Sequence, residues 1–318
     1  MIDLDRAPEP APDTGAPPCG PVIAVGGGPE SLNSPLAGHW LDRATLTLVS
    51  GPETDYRTVC VPDPPAAAAE LAERCARWPL AAAVCDDVLR SHDPRAPAAA
   101  GVIAESLAYS TLQAGPEFGR WLAGRGPATV RDDPDQVRAT RDGDTLRLRL
   151  HQPHRHNAFS TAMRAALLDG LSVAVLDDSV EEVVLCGAGP SFCSGGDLGE
   201  FGGFTDVASA HLARTRHSPA LVLDALTTRL GPRCRAEIHG RVLGSGLEMA
   251  AFCGRVRAHP DTVLGLPELS LGLIPGAGGT VSITRRIGRW RTAYLVLSGR
   301  TVDAPTALRW GLIDEISQ

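Results

Sequence analysis

The 318-residue sequence predicts an α/β fold, and three observations carry that reading. Short apolar runs such as Val183-Val184-Leu185 have the length of buried strands and are followed by glycine turns and helical stretches. Two of those turns have the same form, a strand running into a glycine-broken loop that opens a helix, at residues 187–198 and at Gly244-Ser245-Gly246. A hydrophobic content of 43% supports a large core, and with aromatics at only 4% that core must be built from Ala, Val and Leu.

The first 20 residues are Pro-rich and are expected to be disordered. Residues 21–25 read as a strand running into Gly26-Gly27-Gly28, a plain turn because no G-x-G-x-x-G frame follows. Residues 44–49 and 57–61 are further strands. Residues 65–90 form helix with a break at Pro79. Residues 99–122 give one helix to Gln113, a turn at Gly115-Pro116 and a second short helix. This segment carries Val102, Ile103, Leu107, Leu112, Phe118 and Trp121, enough apolar surface to dock on a partner in its own chain or a neighbouring subunit. No catalytic constellation is visible in residues 1–134, which read as a mixed α/β helper or interaction region. A Gly/Pro/Arg/Asp-rich linker spans 124–135.

The second region, 135–318, opens with the strict alternation of residues 144–150, a half-exposed strand. Ser160 is the expected N-cap of a helix from Thr161 to about Leu176. Phe201-Gly202-Gly203-Phe204 reads as a mobile loop, with helical segments onward to Arg229. Arg214, Arg216 and His217 read as solvated helix-face residues. A strand then ends near Gly240, and a helix starts at Leu247.

Composition excludes several classes. The net charge of −7 and pI near 5.7 argue against nucleic acid and anionic membranes as partners. There is no lysine, so neither a Schiff base nor a P-loop is possible. The eight cysteines form no C-x-x-C pair, and no His cluster has zinc-ligand spacing, so free thiols in a reducing cytoplasm are expected and no metal. Cys193 lies in the first turn without a histidine beside it and is not read as a nucleophile. The acidic, Pro-rich start lacks the pattern of a secretory signal, and no apolar run reaches membrane-spanning length.

The chemistry concentrates in residues 234–280. Glycines at a strand-to-helix turn let a ligand approach the backbone and leave the first helical N–H groups unpaired, in a place where the helix dipole favours a developing oxyanion. Glu248 lies in the first turn of that helix, Glu268 follows Pro267, and a second glycine loop runs 275–279. Two carboxylates near an oxyanion site supply acid–base chemistry beside a carbonyl.

At these residues the chain resembles the crotonase (enoyl-CoA hydratase/isomerase) superfamily. The matching segments are DTLRLRLHQPHRHNAFS, VEEVVLCGAGPSFCSGGDLGEF, IHGRVLGSGLEMAAFC, LGLPELSLGLIPGAGGT and LSGRTVDAPTALRWGLIDEI, in the family's order and spacing. The resemblance implies a crotonase-like ββα superhelix core over about 135–318. It implies hydration of a 2-enoyl-CoA thioester, with coenzyme A as part of the substrate and no separate cofactor. By the same resemblance the backbone N–H groups of Ser194 and Ser245 form the oxyanion hole. Glu248 is chiefly the base, and Glu268 supplies a proton to C2. Arg155, Asn157, Ala158, Gly195, Asp197, Gly244 and Gly276 line the substrate and CoA site, with Asp197 more a buttress than a reactant. Δ3,Δ2-enoyl-CoA isomerisation is the nearest rival, since one base at Glu268 suffices for it. A non-catalytic acyl-CoA-binding or scaffold subunit is another, motivated by Ser245 in place of a more usual glycine. Family members usually continue into C-terminal helices that build a trimer. The sequence stops at Gln318 and carries a long N-terminal region instead, which is expected to support a trimer or hexamer.

Overall fold

A computed structural model describes residues 1–6, 18, 20–26, 32, 35–128, 135–204 and 206–317. Gly27 and Gly28, and the linker residues 129–134, lie outside the described residues.

The N-terminal region is a four-stranded parallel sheet, β1(Ile2–Asp3), β2(Ile23–Gly26), β3(Leu46–Val49) and β4(Thr58–Cys60), in that order. Its helices are α1(Pro35–Arg43), α2(Pro64–Arg77), α3(Pro79–Ser91), α4(Ala98–Gln113) and α5(Pro116–Arg125). Prolines open α2, α3 and α5, where a missing N–H costs nothing. The Glu117 carboxylate accepts the Leu80 and Ala81 amides at 2.8 and 3.0 Å, so α5 caps the start of α3.

A six-stranded sheet dominates the second region, with order β13(Glu315–Ile316), β10(Arg255–Ala258), β8(Cys234–Ile238), β7(Glu182–Gly187), β6(Thr145–Leu150) and β5(Val137–Asp142). All its pairings are parallel except β5 with β6. A smaller sheet of β9(Arg241–Leu243), β11(Val263–Gly265) and β12(Val302–Asp303) stands beside it. The helices are α6(Thr161–Leu176), α7(Val207–Arg216), α8(Pro219–Leu230), α9(Ser245–Phe252), α10(Gly279–Ser298) and α11(Ala304–Trp310). Ser160 caps α6 as its sequence predicts, accepting the Met163 amide at 3.0 Å. Every residue of α9 is buried, the mark of a helix enclosed on all sides, and Glu248 is its one acid.

The N-terminal region docks on the second region of its own chain. One apolar cluster runs through both, joining Leu46, Leu48, Val102 and Phe118 to Leu273, Val281 and Leu295. Polar ties reinforce it. Arg74 donates to Ser270 Oγ at 2.6 Å, Trp290 Nε1 to the Leu41 carbonyl at 2.8 Å, and Trp310 Nε1 to Glu53 at 2.9 Å. Of the apolar residues on α4 and α5, Val102, Leu112 and Phe118 are buried whereas Ile103 and Leu107 are exposed. The segment 201–204 expected to be mobile is packed by α5. Phe201 stacks edge-on against Trp121 at 6.0 Å, and a Cβ on Gly202 would meet Leu122.

Candidate active site

Strand pairing brings the two glycine turns together. β9 runs parallel to β11, so the residues after each strand emerge side by side: the Gly244 N–H donates to the Gly265 carbonyl at 3.0 Å, and Glu268 follows three residues later. The first turn joins through Cys193, whose carbonyl accepts the Leu243 N–H at 3.0 Å. A Cβ on Gly195 would sit 3.3 Å from the Leu243 carbonyl, and one on Gly244, at φ 48°, only 2.6 Å from Glu268 Oε1. Gly244 is therefore both left-handed and pressed between the first turn and a carboxylate, a place only glycine fills.

Glu248 and Glu268 thus flank the start of α9. Among the described residues the N–H groups of Ser245, Gly246 and Leu247 have no protein acceptor, whereas the Glu248 N–H is bonded to the Gly244 carbonyl at 2.9 Å. Glu248 is 2% exposed, and its Oε2 accepts the amides of Ala277 and Gly279 at 2.7 and 2.8 Å. Burial outweighs those bonds and raises its pKa to about 7. Glu268 has a buried Oε2 without a hydrogen-bond partner. Burial, then the charges of Glu248 and Glu105, hold its pKa well above the usual carboxylate value.

Several sequence-based assignments change. The Ser194 N–H donates to the His156 carbonyl at 3.0 Å, so the expected first oxyanion donor is engaged. Arg155, expected to meet a CoA phosphate, is partly exposed and pairs with Asp197 at 2.7 Å. Asn157 is fully buried at φ 52° and is a brace, not a ligand contact. Its amide nitrogen donates to the carbonyls of Ala188, Ser191 and Phe192, and its oxygen accepts the Gln152 N–H. Ala158 closes the same loop on the Arg155 carbonyl at 3.1 Å. Asp197 buttresses the first turn as expected, accepting the Gly199 amide at 3.0 Å. Cys193 is fully buried, and burial lifts its thiol pKa to about 12, which suits packing and not nucleophilic attack. Arg214 is not a solvated surface residue: it stacks over Tyr109 at 4.4 Å.

Sequence reasoning missed Glu105 and Tyr109. Glu105 on α4 is 1% exposed, and both its oxygens bind the residues that begin α10. Oε1 accepts the Gly278 amide at 2.7 Å, and Oε2 accepts the Thr280 amide at 2.8 Å and its hydroxyl at 2.7 Å. Burial and the neighbouring Glu248 charge raise its pKa to about 8. The Tyr109 ring covers Gly276 so closely that a Cβ there would lie 2.5 Å from it. The available signal was a polar stripe at helical spacing, Glu105, Ser106, Tyr109, Ser110 and Gln113, in an otherwise apolar helix.

A family model described as enoyl-CoA hydratase/isomerase matches residues 141–318. The Escherichia coli (strain K12) 2,3-dehydroadipyl-CoA hydratase is 33% identical over 177 residues, 56% of this chain and 67% of that protein. A peroxisomal bifunctional enzyme of Danio rerio is 38% identical over 164 residues, 51% of this chain but only 21% of that protein's length. Among solved structures, an enoyl-CoA hydratase/carnithine racemase from Magnetospirillum magneticum has a TM-score of 0.52 at 25% identity, covering 58% of this chain and 68% of that one. A putative enoyl-CoA hydratase/isomerase from Mycobacterium abscessus has a TM-score of 0.51 at 28% identity, covering 57% and 70%. Two turns meeting at a pair of carboxylates, on a chain that matches this model over more than half its length, place the protein among the enzymes of the enoyl-CoA hydratase/isomerase family, with the crotonase fold.

Proposed function

We propose that the protein adds water across the 2,3 double bond of an enoyl-CoA thioester. The observation that carries this reading is the pair of buried carboxylates at the Gly244-Ser245 turn, with environments that separate their protonation states. Burial and the neighbouring carboxylate charges push Glu268 toward its protonated form, while Glu248, at about 7, is partly ionised near neutral pH. That is the split an acid and a base need. The thioester oxygen takes the Ser245 N–H, which draws electron density from C3 and stabilises the enolate. Glu248 removes a proton from water as its oxygen bonds to C3. The enolate then takes the Glu268 proton at C2, and the two carboxyls exchange protons to reset. Ser194 joins as a second donor only by giving up its bond to His156.

Isomerisation of a 3-enoyl-CoA needs one base and leaves the second carboxylate without a task. The test is purified protein with crotonyl-CoA, following loss of the enoyl-thioester absorbance, with a 3-enoyl-CoA in parallel. Turnover of the first supports hydration. Turnover of the second alone would replace it with isomerisation, and turnover of neither, with tight CoA-ester binding, would favour a binding role.

A further inference from the structure

Behind residues 276 and 277 lies a cavity of 150 Å³, walled by Phe159, Thr161, Arg164, Arg214, Met249 and Ala277 among others. It adjoins the reaction centre, because Ala277 donates to Glu248 and Met249 follows Glu248 in α9. Two guanidinium groups and one carboxylate, Glu200, line it, and neither arginine makes an ion pair among the described residues. Arg164 is half-buried and feels only Glu200, which is already committed to the Thr161 amide and hydroxyl at 2.7 and 2.8 Å. The hydrogen bonds and ring contact of Arg214 go to neutral groups of α4, Ser106 Oγ at 3.0 Å, Gln113 Oε1 at 3.3 Å, Ser110 Oγ and the Tyr109 ring, while Glu105 on the same helix acts on it without touching it. Burial pushes both guanidinium pKa values below their ordinary level.

A cation taken out of water is normally paired, since desolvation costs several kcal/mol. Here α4 orients Arg214 without forming an ion pair with it.

Building on the acyl-CoA reading above, we infer that this cavity receives the far end of the acyl group and that the acyl group carries a carboxylate there. With the thioester at Ser245 and C2–C3 between Glu248 and Glu268, an extending chain meets Ala277 and then the two arginines. The N-terminal region thereby sets substrate class, through Ser106, Tyr109, Ser110 and Gln113.

The inference is tested by calorimetric titration of the full-length protein with saturated CoA thioesters in pairs of equal length. Each pair has a mono-thioester of a four- to eight-carbon dicarboxylic acid and the matching monocarboxylic thioester. At the best length the charged member should bind at least tenfold more tightly, and that ratio should fall at least fivefold in Arg164→Gln and in Arg214→Gln. Should Arg214→Gln fail to fold, Arg164→Gln carries the test alone. Equal affinities at every length, or a ratio unchanged by Arg164→Gln, would overturn the inference while leaving the acyl-CoA reading intact. Absence of binding by any CoA ester would overturn both.

Discussion

Two helices begin side by side at this site, and their first turns are treated in opposite ways. At the start of α10 every amide from 277 to 280 is taken, alternately by Glu248 and Glu105. At the start of α9 the amides of Ser245, Gly246 and Leu247 have no acceptor among the described residues. The dipole and the orphan N–H groups are the same in both. The filled end makes α10 a fixed support, and the open end is where an external oxygen can be bound. The two carboxylates on the filled end differ as well. Glu105 commits both oxygens, whereas both of the Glu248 bonds to Ala277 and Gly279 end on Oε2, leaving Oε1 the freer for chemistry. Glu105 belongs to the N-terminal region, so that region is a structural part of the site.

The open end is broken most sharply by Ser245→Pro, which removes its first amide. Turnover of an enoyl-CoA should fall by about 10²–10³, the usual effect of losing one oxyanion donor. Ser245→Gly should keep wild-type turnover, because the backbone and not the hydroxyl is used. A dead but folded Ser245→Gly would give the hydroxyl a role of its own.

The filled end is broken by Glu105→Ala. Two buried amides and a hydroxyl lose their acceptor, at about 1–3 kcal/mol for each unsatisfied group, so urea unfolding should show a loss of several kcal/mol. A loss below about 1 kcal/mol would show that water replaces the carboxylate and that the support is weak.

A further effect is in pH. Glu105 titrates near 4.5 when unfolded and about 8 when folded. The folded state therefore holds an extra proton in between, and its stability, full below about 4.5, declines as pH rises toward 8. Glu248 adds the same trend up to about 7. Denaturation midpoints should fall from pH 5 to pH 8, and less steeply in Glu105→Gln. The reaction runs the other way: turnover should rise through about pH 7 as Glu248 loses its proton. A flat rate profile would remove Glu248 as the base.

Most elements of both regions were legible because local signals placed them, but α1 was not read, and β1 at Ile2–Asp3, in a stretch expected to be disordered, is held by pairing with Ala24 and Val25. Pro79 breaks α3 from α2, Ser160 starts α6, and the alternation of residues 145–150 gives β6 its buried face. The carboxylate pair was legible because Glu248 and Glu268 sit at fixed distances from glycine turns. What escaped depends on contacts remote in sequence. Glu105 meets Gly278 across 173 residues, and Arg214 meets Ser106 across 108. Ser194 is engaged by a carbonyl presented by two consecutive left-handed residues, His156 and Asn157, which no propensity predicts. The stripe on α4 spoke only weakly, because an acid among alanines reads as solvated until something is seen to cover it.

The division of labour among the carboxylates is tested most directly by crotonyl-CoA hydration in three variants side by side, Glu248→Gln, Glu268→Gln and Glu105→Gln. Chemistry by Glu248 and Glu268, with Glu105 as support, predicts losses of about 10²–10⁴ in turnover for the first two. Glu105→Gln should fall by no more than about tenfold and lose about 1–3 kcal/mol of stability, since its amide NH₂ meets a backbone N–H it cannot bond. A Glu105→Gln variant as inactive as Glu248→Gln yet fully stable, or a Glu248→Gln variant at wild-type turnover, would contradict it.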